Sequence, residues 1–176
     1  SRKTKVILPV DIAGYPSDYL RLNEICDSRK LMLLADAAHA IGAGFKRRSI
    51  PQLCDAAVFS FYSTKNLTCG EGGMVVSRHE ALVERVRLIS RHGLSSATIE
   101  RNRANKWEYD VTAFGYKANL PELLAAVGMG ELTGFREAQA RRKAIAERYR
   151  RNLKDLSKFV QLPVTEPGYR HGWHLF

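Results

Sequence analysis

Apolar residues gather in short runs separated by polar turns, and the lengths of those runs predict strands alternating with helices. Asp55-Ala56-Ala57-Val58-Phe59-Ser60-Phe61 is too brief for a helix and is bounded by turn residues, so it reads as a strand. Leu31-Met32-Leu33-Leu34-Ala35-Asp36 is nearly continuous in apolar residues, as strands covered on both faces are. Val6 to Val10 reads as a third strand, and Phe176 falls in what should be a further one. Ser17 can cap a helix through Arg29 with Leu20, Leu22 and Ile25 as its apolar positions. Ser77-Arg78-His79-Glu80 has the capping-box pattern before a helix over Ala81 to Arg91, which Gly93 stops. The spacing is helical again from Pro121 to about Leu132, and once more from Arg136 to Lys154. Between Ser95 and Val111 a polar stretch with Arg101, Arg103 and Lys106 predicts a long loop, suited to covering a substrate or meeting a partner subunit. The order of elements predicts an α/β fold, with a soft boundary near residue 135.

Charge adds a question about partners. The 176 residues carry a formal net charge of +10, which would suit nucleic acid, an anionic membrane surface or a phosphorylated substrate. Much of the excess lies between Arg136 and Lys154, where it reads as a solvated helix face. Zinc-finger spacing, aromatic stacking motifs and internal repeats are absent from the sequence, which argues against nucleic acid as the partner. Cys26, Cys54 and Cys69 are too few and too irregular for a disulfide framework and have no metal-ligand cluster beside them, so no metal is expected and a reduced, cytoplasmic setting fits. No signal peptide is visible, and no apolar stretch approaches the roughly 20 residues that span a bilayer.

The chemistry concentrates after the strand that ends at Phe61. Lys65 follows it, ringed by the hydroxyls of Ser60, Tyr62, Ser63, Thr64 and Thr68 and succeeded by Gly70-Glu71-Gly72-Gly73. A lysine in an enclosed pocket has its ammonium form disfavoured, and its free amine can carry a Schiff base with pyridoxal phosphate. Asp36 ends the other apolar strand, and ligands collect at the carboxyl ends of strands in open α/β sheets, so the two residues can converge on one site. A carboxylate there would keep the cofactor's ring nitrogen protonated, as its electron-accepting role requires.

Six blocks in order carry a resemblance: Asp36-Ala37-Ala38-His39-Ala40; Phe59-Ser60-Phe61 leading to Thr64-Lys65-Asn66-Leu67-Thr68; Glu71-Gly72-Gly73; Arg91-His92-Gly93-Leu94; Gly115-Tyr116-Lys117 with Asn119-Leu120-Pro121; and His171-Gly172-Trp173-His174-Leu175-Phe176. The whole chain resembles the DegT/DnrJ/EryC1/StrS family of sugar aminotransferases, and several blocks look most like the branch that aminates a UDP-4-keto-pentose on the route to 4-amino-4-deoxy-L-arabinose. The resemblance implies an internal fragment of a fold-type I pyridoxal-phosphate-dependent transferase. Residues 1–135 would belong to its large three-layer α/β/α cofactor domain, and 136–176 to a linking helix and the start of a small carboxyl-terminal domain. It also implies that Lys65 binds pyridoxal phosphate covalently, that Asp36 partners the pyridine nitrogen, that His39 lies near the phenolic oxygen and that Ser60 donates to the phosphate. Asn119 would reach a phosphate across a homodimer interface, and His174 is a substrate-binding candidate. Relatives that catalyse dehydration carry histidine at the position of Lys65, so amination is implied. The substrates would be an amino-acid donor, L-glutamate in the family, and a nucleotide-linked keto sugar aminated at C4, for cell-surface polysaccharide, lipid A or antibiotic sugars.

Each assignment has a structural competitor. A lysine after a strand is commonly solvated, Asp36 could cap a turn, and His39 could be a hydrogen-bonded core histidine. Ser60 alternates with Phe59 and Phe61 and could be a small polar residue on the opposite strand face. Asn119 precedes Leu120-Pro121-Glu122 and could cap a helix, a role compatible with holding a phosphate. Two departures from the family pattern bear on substrate rather than chemistry: Ala118 follows Tyr116-Lys117 in place of an aromatic, and Lys46-Arg47-Arg48 stands for Lys-Gly-Arg. The competing functions are a family member with a non-catalytic or regulatory role and a basic nucleic-acid-binding protein.

Overall fold

The structure, a computed structural model, describes residues 2–94 and 108–176. Strand β1 (Val6–Ile7), β2 (Met32–Asp36), β5 (Ala56–Ser60) and β6 (Gly73–Ser77) form one sheet in the order β1-β2-β5-β6. The first three strands are parallel, and β6 returns antiparallel to β5. Strand β1 stops short of the run expected through Val10, because Pro9 has no N–H to continue a ladder; Val10 makes only a single bridge to Asp36. A second, three-stranded antiparallel sheet joins β4 (Arg48–Ser49), β3 (Gly44–Phe45) and β7 (Tyr169–Arg170).

The two faces of the main sheet differ. Leu33, Ala35 and Ala57 point to one side and are fully buried in a core with Tyr19 and Cys26 of helix α1 (Tyr19–Arg29). On that helix Tyr19, Leu22 and Cys26 meet the core, while Leu20 and Ile25 are exposed. The register pairs Asp36 with Val58, so Leu34, Asp36, Val58 and Ser60 share the other side. This face is the more open one, with Val58 37 % exposed.

Helix starts depart from the expected caps. Asp18, not Ser17, caps α1 by accepting from Arg21 N–H at 3.2 Å. Ser17 gives both its N–H and its hydroxyl to the buried Asp11 carboxylate instead. Helix α2 (Glu80–Ile89) packs on β6 and is entered through His79 without a side-chain cap, because the Ser77 hydroxyl is bonded to Asp55 O and His79 N–H. The two helical runs expected on either side of residue 135 are one continuous helix, α3 (Glu122–Asn152), entered through Pro121 rather than Asn119. Its amino-terminal half packs through Leu124 and Phe135 on Phe61, Leu67 and Cys69; its other half buries Ala146 and brings Tyr149 to Phe176 with ring centroids 5.1 Å apart. The loop expected from Ser95 to Val111 lies mostly outside the described residues; Leu94 and Val111 at its ends form an antiparallel bridge.

The carboxyl-terminal residues close the molecule without forming the strand expected at Phe176. After β7, Gly172 N–H donates to Gly14 O at 2.7 Å, and the amides of His174 and Leu175 both donate to Ala13 O. Gly14 has φ +91° and packs so tightly that a Cβ there would lie 2.8 Å from His39 O. Glycine is therefore required where these three segments meet. Among the described residues no helix is long and apolar enough to cross a membrane.

Candidate active site

Asp36 closes β2 with its backbone fully engaged: its N–H donates to Pro9 O and its C=O accepts from Asp11 N–H. One carboxylate oxygen, Oδ1, accepts from Ala38 N–H at 3.1 Å and turns the chain toward His39. Asp36 thus makes the turn that was its competing role, and still has its second oxygen, Oδ2, for another partner. Two residues beyond Val58 on the same sheet face, Ser60 ends β5. Its hydroxyl oxygen accepts from Tyr62 N–H at 3.3 Å, which leaves the hydroxyl proton for an acceptor.

Lys65 sits in a tight loop built on the backbone of Phe61. Phe61 N–H donates to Gly72 O, and Phe61 O accepts from Cys69 N–H and from the Thr68 hydroxyl. Within this loop Lys65 N–H donates to Tyr62 O, and the residue is half-buried rather than enclosed. His39 links it electrostatically to Asp36. Burial lowers the His39 pKa most, the Lys65 cation lowers it further, and the Asp36 carboxylate works the other way. The three residues thus lie at the carboxyl ends of β2 and β5, near enough for the charges of Lys65 and Asp36 to act on His39.

His174 joins them from the end of the chain. Its ring lies against that of His39 with centroids 4.3 Å apart, and its pKa is lowered by burial, then by His39, Lys65 and Arg142. Asn119 is not drawn in: it is exposed, and its side-chain oxygen accepts from Lys117 Nζ at 3.1 Å. No group of three or more His, Cys, Asp or Glu is placed to hold a metal among the described residues.

Three supporting residues escaped the sequence reading. Asp11 is fully buried and accepts from Ser17 N–H, Ser17 Oγ and Tyr19 Oη at 2.7 to 2.9 Å, which fixes the loop carrying Ala13 and Gly14. Asn66 and Gln139 both donate to Gly172 O and so clamp the last segment to the Lys65 loop and to α3. An isolated acid among apolar residues, Leu8 to Ala13, was the one available signal for Asp11. For the Asn66 contact, 106 residues away from Gly172, there was none.

The donor set suits pyridoxal phosphate. A carboxylate with an open oxygen, a lysine, an imidazole and a serine hydroxyl match a basic ring nitrogen, an aldehyde, a phenolic oxygen and a phosphate respectively. Val58 shares the open sheet face with Asp36 and Ser60.

The chain is similar to known proteins along its whole length. The spore coat polysaccharide biosynthesis protein SpsC of Bacillus subtilis is 38 % identical over 175 residues, covering 99 % of this chain and 45 % of SpsC. Crystallised DesV of S. venezuelae is 34 % identical and superposes with a TM-score of 0.85 over 100 % of this chain and 44 % of its own. The sugar aminotransferase Spr1654 of Streptococcus pneumoniae, described as putative in function and solved in PMP and PLP forms, superposes with TM-scores of 0.90 and 0.85 at 27 % and 26 % identity, over 100 % of this chain and 49 % and 48 % of its own. The chain spans less than half the length of these relatives. The solved structural neighbours are pyridoxal-phosphate-dependent sugar aminotransferases of fold type I, and this mixed α/β chain has the fold of the corresponding part. With a family profile matched over residues 1–176, the chain belongs to the DegT/DnrJ/EryC1/StrS aminotransferase family.

Proposed function

We propose that this chain carries the cofactor lysine of an aminotransferase that moves an amino group from an amino acid, L-glutamate, to the C4 keto carbon of a nucleotide-linked sugar. The observation that supports it most is the convergence of Asp36, His39 and Lys65 at the carboxyl ends of two adjacent parallel strands. Pyridoxal phosphate, when bound, supplies an electron-accepting ring that stabilises negative charge at the carbon losing its proton. The residues do the rest. Asp36 holds a proton on the ring nitrogen by placing a carboxylate beside it. His39 accepts from Ala13 N–H through Nδ1 at 3.3 Å, so its proton sits on Nε2, ready to donate to the phenolic oxygen. Ser60 donates to the phosphate. Lys65 Nζ takes the proton from the donor's α-carbon and delivers one to the sugar carbon in the second half-reaction.

Asn119, exposed at the start of α3, is assigned to the phosphate of a second copy, in a homodimer with shared sites acting in the cytoplasm. His174 is assigned to the substrate side, and α3 would link the cofactor domain, 1–135, to the start of a smaller one, 136–176. Borohydride reduction of the full-length protein with pyridoxal phosphate, followed by peptide mapping, tests the core of the proposal. The label is expected on Lys65, and Lys65→Ala is expected to abolish both label and turnover; retained turnover would refute it.

A further inference from the structure

The rings of His39 and His174 lie against each other, tilted by 40°, and hydrogen bonds determine which nitrogen of each ring carries the proton. Gly172 O can only accept, and the Asn66 amide meets it at 2.6 Å, so the atom facing it is the Asn66 NH2 group. The same group donates to Gln139 Oε1 at 3.1 Å, while Gln139 Nε2 donates to Gly172 O at 3.1 Å, which closes a consistent three-membered network. The other end of the Asn66 amide is then its carbonyl oxygen, 3.3 Å from His174 Nδ1. A carbonyl oxygen accepts only, so His174 Nδ1 must carry the proton. His39 has the opposite arrangement, because Ala13 N–H occupies its Nδ1.

We propose that Asn66 is a positioning residue that holds His174 in its Nδ1–H tautomer, so that His174 Nε2 is an acceptor, opposite in kind to the Nε2–H donor of the neighbouring His39. Neither Nε2 has a hydrogen-bond partner among the described residues, so both remain available to a ligand. With His39 Nε2–H assigned to the phenolic oxygen, His174 Nε2 is left to accept from a hydroxyl or an amine of the substrate. That consequence for amino transfer rests on the proposed function; the tautomer assignment does not.

Long-range proton–nitrogen correlation spectra of the full-length protein labelled with ¹⁵N-histidine test the assignment without cofactor or turnover. Single His39→Gln and His174→Gln substitutions identify the two rings. In mildly basic solution His174 is expected to show a protonated Nδ1 and a bare Nε2, and His39 the reverse. Asn66→Ala is expected to abolish the His174 preference and leave His39 unchanged. A His174 that is Nε2-protonated or averaged in the unsubstituted protein, or that keeps its tautomer in Asn66→Ala, would overturn the proposal. Asn66→Asp provides a second test if the alanine variant does not fold. It places a carboxylate on Nδ1–H against the opposing cations Lys65 and Arg142 and the neighbouring His39, so the His174 pKa should rise. An unchanged His174 pKa in that variant also counts against Asn66.

Discussion

Asp55, just before β5, illustrates how a single carboxylate ties strand ends together. Its Oδ1 meets Arg78 at 2.5 Å and His79 Nε2 at 3.0 Å, and its Oδ2 accepts from Leu33 N–H at 2.8 Å. Burial alone would raise its pKa, but the bonds from His79, Leu33 and Arg78 outweigh burial and bring it down to about 2. The folded value lies below the ordinary 3.8, so the stabilisation is present above that pH and is lost as pH falls toward 2. Asp55→Asn is expected to cost about 1–3 kcal/mol at neutral pH and to flatten the acid limb of stability, as read by urea denaturation across pH. Arg47 predicts the opposite sign. It has φ +67° in the β3–β4 turn, a conformation that suits glycine, so Arg47→Gly should stabilise by up to about 1 kcal/mol in the same assay. The positions of Lys65, Asp36 and His39 were legible because each lies within a few residues of an apolar strand. The link from Asn66 to His174 was not, since it joins segments 108 residues apart through amides with no periodic pattern.

The last segment depends on buried, neutral imidazole. His171 is 9 % exposed, stacks on Trp173 with ring centroids 3.9 Å apart and accepts from Trp173 N–H through Nδ1 at 2.9 Å. Burial lowers its pKa to about 4, with a bond to the Gly14 backbone opposing the shift. The unfolded histidine takes up its proton first as pH falls from 6.5, so docking is fully stabilised above 6.5 and weakens progressively toward 4. Acidification over that window is expected to release the segment from the Ala13–Gly14 loop, seen as a change in Trp173 emission isolated by subtracting a Trp173→Phe variant; a flat titration would contradict it. The strands β2 and β5 were readable from their apolar runs to within a residue or two. Both halves of α3 were readable too, but not their continuity, because Gly128, Gly130 and Gly134 each weaken a helix by about 1 kcal/mol and argue for a break that packing against Phe61, Leu67 and Cys69 overrides.

Gly128 borders a surface that the described residues leave open. Phe61, Leu67, Met74, Leu120, Leu124 and Leu132 line a hollow of about 220 Å³, and Met129 and Leu132 are 66 % and 51 % exposed at its rim. At the start of α3, Leu123 is 83 % exposed. Fully burying an exposed Leu or Met contributes roughly 1.5–3 kcal/mol, so covering several of them offsets the ordering cost of association. The relatives' chains are more than twice as long as the part matched here, and a contiguous apolar surface of this kind signals something that packs on it. The 176-residue chain expressed alone is therefore expected to self-associate, with light scattering that rises with concentration. Met129→Glu combined with Leu132→Glu should reduce that scattering, because a charge buried without a partner costs more than the apolar contact returns. The helix itself should survive, since glutamate is a good helix former, and far-ultraviolet circular dichroism checks this. A soluble, cooperatively unfolding monomer from the unsubstituted chain would show instead that the open face is tolerated in water.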